Sequence, residues 1–415
     1  MLLVAIGCAT APDPNDTQKS DSGWVGTWAA APQAFMPGTL KTFRGQTVRL
    51  IVHTTMGGKR LRIRLSNTYG DRPLSIGGAH VARRAVGADV EPTSDRVLRF
   101  DGRGTANIPA GSTLVSDAVQ LAVPPVSDLA ISLYLPEETR ATTDHLLALQ
   151  QSYVSVDTGD FTGNAKFPLS KTITSWPFLT GIDVDARPGT AAIVAFGDSR
   201  FDGDGSTSDA NHRWPDALAE RLRREAKTGP FGVLNEGLIG NRLLRNSPRG
   251  AQSGVGDAFG ESGLERFDRD ALQQSGVEVV VVSFGANDLG LPGAIAPAAE
   301  TVTAADLIGG YLKLVAGAHR RGVRIVATTI SPFENAKVAP GYYSVEKEAV
   351  RRAVNEWMLR SRHFDGVIDL DEVLKDPDHP SRLLSAYDSD DHLHPNDAGY
   401  AASANAFSLS ILGIR

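Results

Sequence analysis

The chain has 415 residues, 41% of them hydrophobic and 22% charged, ordinary globular proportions that exclude disorder throughout. Its length allows about two to three domains. With Lys+Arg 42 against Asp+Glu 48, a formal net charge of −6 and no long basic run, the electrostatic footprint of a nucleic-acid partner is missing.

No apolar run reaches the roughly 18 residues that would span a bilayer. Residues 1–7 are apolar and lead into Cys8, the one cysteine of the chain. A single cysteine can form neither an internal disulfide nor a Cys-based zinc site. The run Val4-Ala5-Ile6-Gly7-Cys8 resembles the end of a bacterial lipoprotein signal, which implies export and a lipid on Cys8 of a secreted or cell-envelope protein. The polar, Pro/Asp/Ser-rich segment 9–23 reads as a tether, so 1–23 is set apart from the folded chain.

From residue 24 to 187 the period is two. Leu61, Ile63 and Leu65 alternate with Arg60, Arg62 and Arg64, and Leu129, Ile131, Leu133 and Leu135 repeat the pattern, as half-buried strands do. Gly57-Gly58 between 48–54 and 60–65 reads as a hairpin turn, with further short strands at 96–100 and 119–123. The expectation is an antiparallel, jelly-roll-like β-sandwich.

From residue 188 to 415 apolar strands alternate with amphipathic helices: strands at 191–196, 232–235, 277–284, 324–329 and 366–370, helices at 215–226, 304–321 and 345–362. That pattern is an α/β domain with a parallel sheet. Ligands of such sheets bind beyond the carboxyl ends of the strands. The first strand ends in Gly197-Asp198-Ser199, where Ser199 is either an exposed hydroxyl or a helix N-cap. The second leads into Asn235-Glu236-Gly237-Leu238-Ile239-Gly240-Asn241 and the third into Gly285-Ala286-Asn287-Asp288; each alone reads as a turn. After the last strand comes Asp388-Ser389-Asp390-Asp391-His392-Leu393-His394-Pro395. A carboxylate three residues before a histidine can accept from Nδ1–H and leave Nε2 free to take a proton, as Asp391 and His394 could. His392 should point the other way, and a cation held by this Asp/His cluster is the rival reading.

These four blocks, in this order, resemble the GDSL or SGNH hydrolases, named for the Ser, Gly, Asn and His they carry. The resemblance spans residues 190–415 and implies a flavodoxin-like fold and ester hydrolysis. It makes Ser199 the nucleophile, His394 the base and Asp391 its orienting partner, with Ser199, Gly240 and Asn287 as oxyanion donors. Gly26-Thr27-Trp28-Ala29 is similar to the β-domain preceding the hydrolase in one esterase branch. Arg200 departs from the aliphatic residue usual after the nucleophile, and Ile239 from a small one. No Gly-x-Ser-x-Gly elbow occurs.

The expected activity is removal of short acyl groups by a serine carboxylesterase with no cofactor and no metal. Its partner would be a small-molecule or polysaccharide ester. Trp24, Trp28 and Trp176 could stack on sugars or fill the β core. A lipase or lysophospholipase using the same site is the alternative, and an inactive carbohydrate-binding protein a third reading. Asp198 and Asp288 read as cap or turn residues. The segment 202–208 reads as a solvated loop in preference to a Ca²⁺ loop, and 249–263 and 289–298 as loops over the pocket.

Overall fold

Alternating side chains in the amino-terminal half build two large antiparallel sheets that share one core, beside two smaller two-stranded sheets. The computed structural model describes residues 23–156, 158–225, 231–248 and 253–412, so Cys8 and the tether up to residue 22 lie outside the described residues. One sheet runs Trp24–Ala29, Leu179–Asp185, Gly58–Ser66, Val119–Val123, with Thr113–Val115 also paired to Gly58–Ser66. The other runs Leu169–Ile173, Ser152–Ser155, Thr42–Thr54, Ser127–Arg140, Gly78–Arg83, Arg96–Val97. Leu61, Ile63 and Leu65 point inward, fully buried, against Leu50, Val52, Leu129 and Ile131 of the facing sheet. Arg60 and Arg62 point outward to Asp185 and Asp183.

The hairpin expected at Gly57-Gly58 does not form. Thr42–Thr54 and Gly58–Ser66 belong to different sheets, and neither glycine has the positive φ that a two-residue hairpin turn of that kind demands. The chain instead crosses from one sheet to the other. A side chain at Gly57 would meet the Val123 carbonyl oxygen at 2.6 Å, so the glycines serve close passage of backbones.

The carboxyl-terminal half forms a five-stranded parallel sheet of β1 (Ala191–Gly197), β2 (Phe231–Gly237), β3 (Val277–Ser283), β4 (Arg324–Thr328) and β5 (Gly366–Ile368). Its order, β2-β1-β3-β4-β5, is the flavodoxin-like one. Val279 to Val282 are wholly buried because helices cover both faces. On one face Ile193, Ala195, Val279 and Val281 pack against α2 (Trp214–Glu225) and α5 (Asp397–Asn405). On the other, Val194, Phe196, Val280 and Val282 pack against α3 (Ala304–Arg320) and α4 (Val345–Arg360). That second core continues into the β half through Val25, Trp28 and Leu234. The halves are also bonded directly: Gly26 N–H donates to the Ser275 carbonyl at 2.9 Å, and Val233 N–H donates to Thr55 Oγ1 at 2.9 Å. Among the described residues no helix is long and apolar enough to cross a membrane.

Candidate active site

The carboxyl end of β1 runs into a one-turn helix, α1 (Ser199–Asp202). Asp198, not Ser199, is its N-cap, accepting from Arg200 N–H at 3.1 Å, so the serine hydroxyl is released from capping. Ser199 is 5% exposed, and its Oγ lies 2.8 Å from His394 Nε2. The two residues are 195 positions apart. Burial pushes the Asp198 carboxyl up despite the nearby Arg200 and His394. Arg200 lies buried, with Nε and Nη2 each 3.4 Å from the Leu393 carbonyl oxygen, so it ties the serine turn to the histidine turn.

The histidine turn is built locally. Asp390 and His392 both take positive φ, 73° and 62°, which curls the chain so that Asp391 Oδ1 accepts from His394 N–H at 2.8 Å and Leu393 N–H at 2.9 Å. Asp391 Oδ2 then meets His394 Nδ1 at 2.6 Å. Asn396 caps α5 directly after it. Burial pushes the Asp391 carboxyl up, but the His394 hydrogen bond and charge and the two N–H groups outweigh it and hold the carboxyl well below the usual carboxylate range. An ionised Asp391 can only accept, so Nδ1 carries a proton, and in the neutral imidazole Nε2 faces Ser199 with its lone pair. His392 points away and pairs with Asp388. The acidic cluster is therefore divided between two histidines, and among the described residues no set of three or more His/Cys/Asp/Glu could hold a metal. Asp204 approaches from the other side, Oδ2 3.7 Å from Nε2, its carboxyl pushed up by burial.

Gly240 has φ +72°, and a Cβ there would meet the Phe259 ring at 2.4 Å; only glycine fits both the conformation and the contact. Asn287 sits at the end of β3 with its Nδ2 donating to Asn241 O at 3.1 Å and its Oδ1 accepting from Tyr342 O–H at 2.9 Å. The Asn241 carbonyl, which can only accept, fixes which way round the amide lies, leaving one Nδ2 hydrogen over. Asp288, 2% exposed, accepts from Leu243 and Leu244 N–H at 2.8 and 2.9 Å. It was expected as a cap or turn residue, but both of its oxygens reach another segment and neither caps its own turn; burial pushes it up to about 6. These bonds join the Asn287 block to the Gly240 block. The N–H groups of Ser199 and Gly240 donate to no protein acceptor among the described residues.

Several expectations need correction. Asp202, placed in a solvated loop, is 1% exposed; its Oδ2 accepts from Ile239 N–H at 2.8 Å and its Oδ1 lies 2.9 Å from His145 Nε2. Trp28 and Trp176 pack edge to face in the core, ring centres 5.0 Å apart, and Trp24 is half-buried under Arg60 and Arg62. Trp28 and Trp176 thus take the second of the two expected roles and fill the β core. Residues 249–252 of the expected pocket loop lie outside the described residues, while Phe259 of the same loop lies against Gly240. Tyr342 was missed because the Tyr342-Tyr343 pair before α4 carries no spacing signal. His145 was missed because its partners are 57 and 114 residues away.

The sequence model of the GDSL-like lipase/acylhydrolase family matches residues 195–402, just over half the chain. No curated protein matches. Similar solved structures include a lipase/acylhydrolase from Enterococcus faecalis, at 19% identity, TM-score 0.39, covering 54% of this chain and 96% of that one. An aryl esterase from M. smegmatis is similar at 18% identity, TM-score 0.38, with 54% and 100% covered. A carbohydrate acetylesterase from Sinorhizobium meliloti is similar at 15% identity, TM-score 0.38, with 54% and 99% covered.

Proposed function

The chain belongs to the GDSL-like lipase/acylhydrolase family and is an ester hydrolase; from that premise we propose that it removes short acyl groups by covalent catalysis at Ser199. The carrying observation is the chain of contacts Ser199 Oγ, His394 Nε2, His394 Nδ1, Asp391 Oδ2, at 2.8 and 2.6 Å. A free serine hydroxyl is almost fully protonated at neutral pH, so attack needs a base in hydrogen-bond reach. His394 Nε2 takes the Ser199 proton as Oγ bonds to the ester carbonyl carbon. The carbonyl π electrons move to oxygen, and the N–H groups of Ser199 and Gly240 with the free Nδ2 hydrogen of Asn287 receive that charge. His394 then protonates the departing alcohol, and water, deprotonated by the same nitrogen, releases the acid and restores the serine.

Burial of Ser199, Asn287 and His394, at 5%, 5% and 7% exposure, favours a small acyl group over a long chain. On the alcohol side, the Asp204 carboxyl beside Nε2 supports a hydroxyl-bearing alcohol such as a sugar, since a carboxyl accepts hydroxyls and its ionised form repels anions. Turnover of nitrophenyl esters from acetyl to dodecanoyl tests the acyl assignment. A kcat/KM falling steadily beyond butanoyl is expected; one rising to dodecanoyl would favour a lipase and overturn it.

A further inference from the structure

We propose that His145, supplied by the β half, is a positioning residue for ester hydrolysis: by holding Asp202 it fixes both the helix that begins at Ser199 and the turn that carries Gly240. His145 Nδ1 lies 2.9 Å from the Ala31 carbonyl oxygen, which can only accept, so Nδ1 carries a proton. Its Nε2 meets Asp202 Oδ1 at 2.9 Å. The imidazole is clamped further by stacking on Trp176, ring centres 5.6 Å apart, and the residue's backbone N–H donates to Asp144 Oδ1 at 2.9 Å.

Asp202 is the last residue of the single helical turn that starts with Ser199, and its N–H donates to Asp198 O at 3.1 Å. Its other carboxylate oxygen holds Ile239 N–H, one residue before Gly240. One carboxylate therefore joins three parts of the molecule: the nucleophile helix, the proposed oxyanion turn, and a side chain from the other half. Side chains of His145 and Asp202 are 4% and 1% exposed. Pairs buried this deeply repay their desolvation poorly as stabilisers, and fixing geometry is their better attested use. Burial lowers the proton affinity of His145, but the Asp202 charge, its hydrogen bond and the Ala31 carbonyl outweigh it and raise it above the ordinary imidazole range. The β half would thus contribute to the chemistry as well as to the fold.

The proposal rests on the ester-hydrolase reading, and its test separates the two. Full-length His145→Asn and His145→Gln are assayed on nitrophenyl acetate beside Thr55→Val, which breaks a buried bond between the halves at Val233 without touching Asp202. An asparagine amide can reach Ala31 but not Asp202, whereas a glutamine amide can reach Asp202. The expected result is kcat down about tenfold or more in His145→Asn with KM within about threefold, since displaced reacting groups cost rate more than binding. His145→Gln should recover most of the rate, and Thr55→Val should lose thermal stability while keeping kcat. Equal kcat in His145→Asn and wild type, or losses that track melting temperature across all three variants, would overturn the proposal. Wild type inert toward every ester would fail the hydrolase reading instead.

Discussion

Replacing Asn287 by alanine removes one of the three donors assigned to the oxyanion, and the surroundings of that amide set the size of the loss. The side chain is 5% exposed and is held from both ends, by Tyr342 O–H at 2.9 Å and the Asn241 carbonyl at 3.1 Å. A donor so fixed and shielded needs no reorganisation when charge develops, and losing one raises the barrier by about 3 kcal/mol. At about 1.4 kcal/mol per tenfold, kcat should fall roughly 100-fold or slightly more. KM should hardly move, because the ground-state carbonyl makes little use of that donor. The Tyr342 hydroxyl and the Asn241 carbonyl each lose a partner, which costs about 1–3 kcal/mol of stability and lowers the melting temperature without unfolding the protein at 25 °C. The assay is steady-state hydrolysis of nitrophenyl acetate by Asn287→Ala, with a thermal melt of the same sample. A kcat within about threefold of wild type, from protein whose melt is cooperative, would refute the role.

Tyr342→Phe keeps the ring but frees the Asn287 amide to turn; kcat should fall about tenfold with KM unchanged, which the same assay measures. Gly240→Ala must place a Cβ at φ +72° against the Phe259 ring, costing on the order of 1–3 kcal/mol; melting temperature and kcat should both drop. The native pKa of Asp288, about 6, lies above its ordinary value of 3.8, so as pH rises between those values the unfolded chain ionises first and stability is lost. The penalty is complete above about pH 6, at roughly 3 kcal/mol. Asp288→Asn removes that slope, so melting temperature relative to wild type should climb from pH 4 to 6 and then level off. A difference independent of pH would contradict the assignment.

Much of the parallel-sheet half was legible because its signal is local. The run Val279 to Val282 suits a strand covered on both sides, and the Asp391–His394 spacing already holds the geometry of an acceptor and its imidazole within one turn. Gly57-Gly58 misled because glycine pairs serve tight turns and crossing backbones alike, and only the strand partners, 47 or more residues distant, distinguish them. Asp202 was illegible for the same reason. Nothing within the run Asp202 to Ser208 reveals that a histidine from the other half will bury its first carboxylate. Trp28 and Trp176 lie in the core edge to face, ring centres 5.0 Å apart, an arrangement aromatic pairs prefer.

The central claim is that His394 makes one particular hydroxyl nucleophilic. Mass spectrometry of the full chain after exposure to a fluorophosphonate probe should find the adduct on Ser199 in wild type and none in His394→Ala. Equal labelling of Ser199 in both proteins, or an adduct on a different residue, would contradict it.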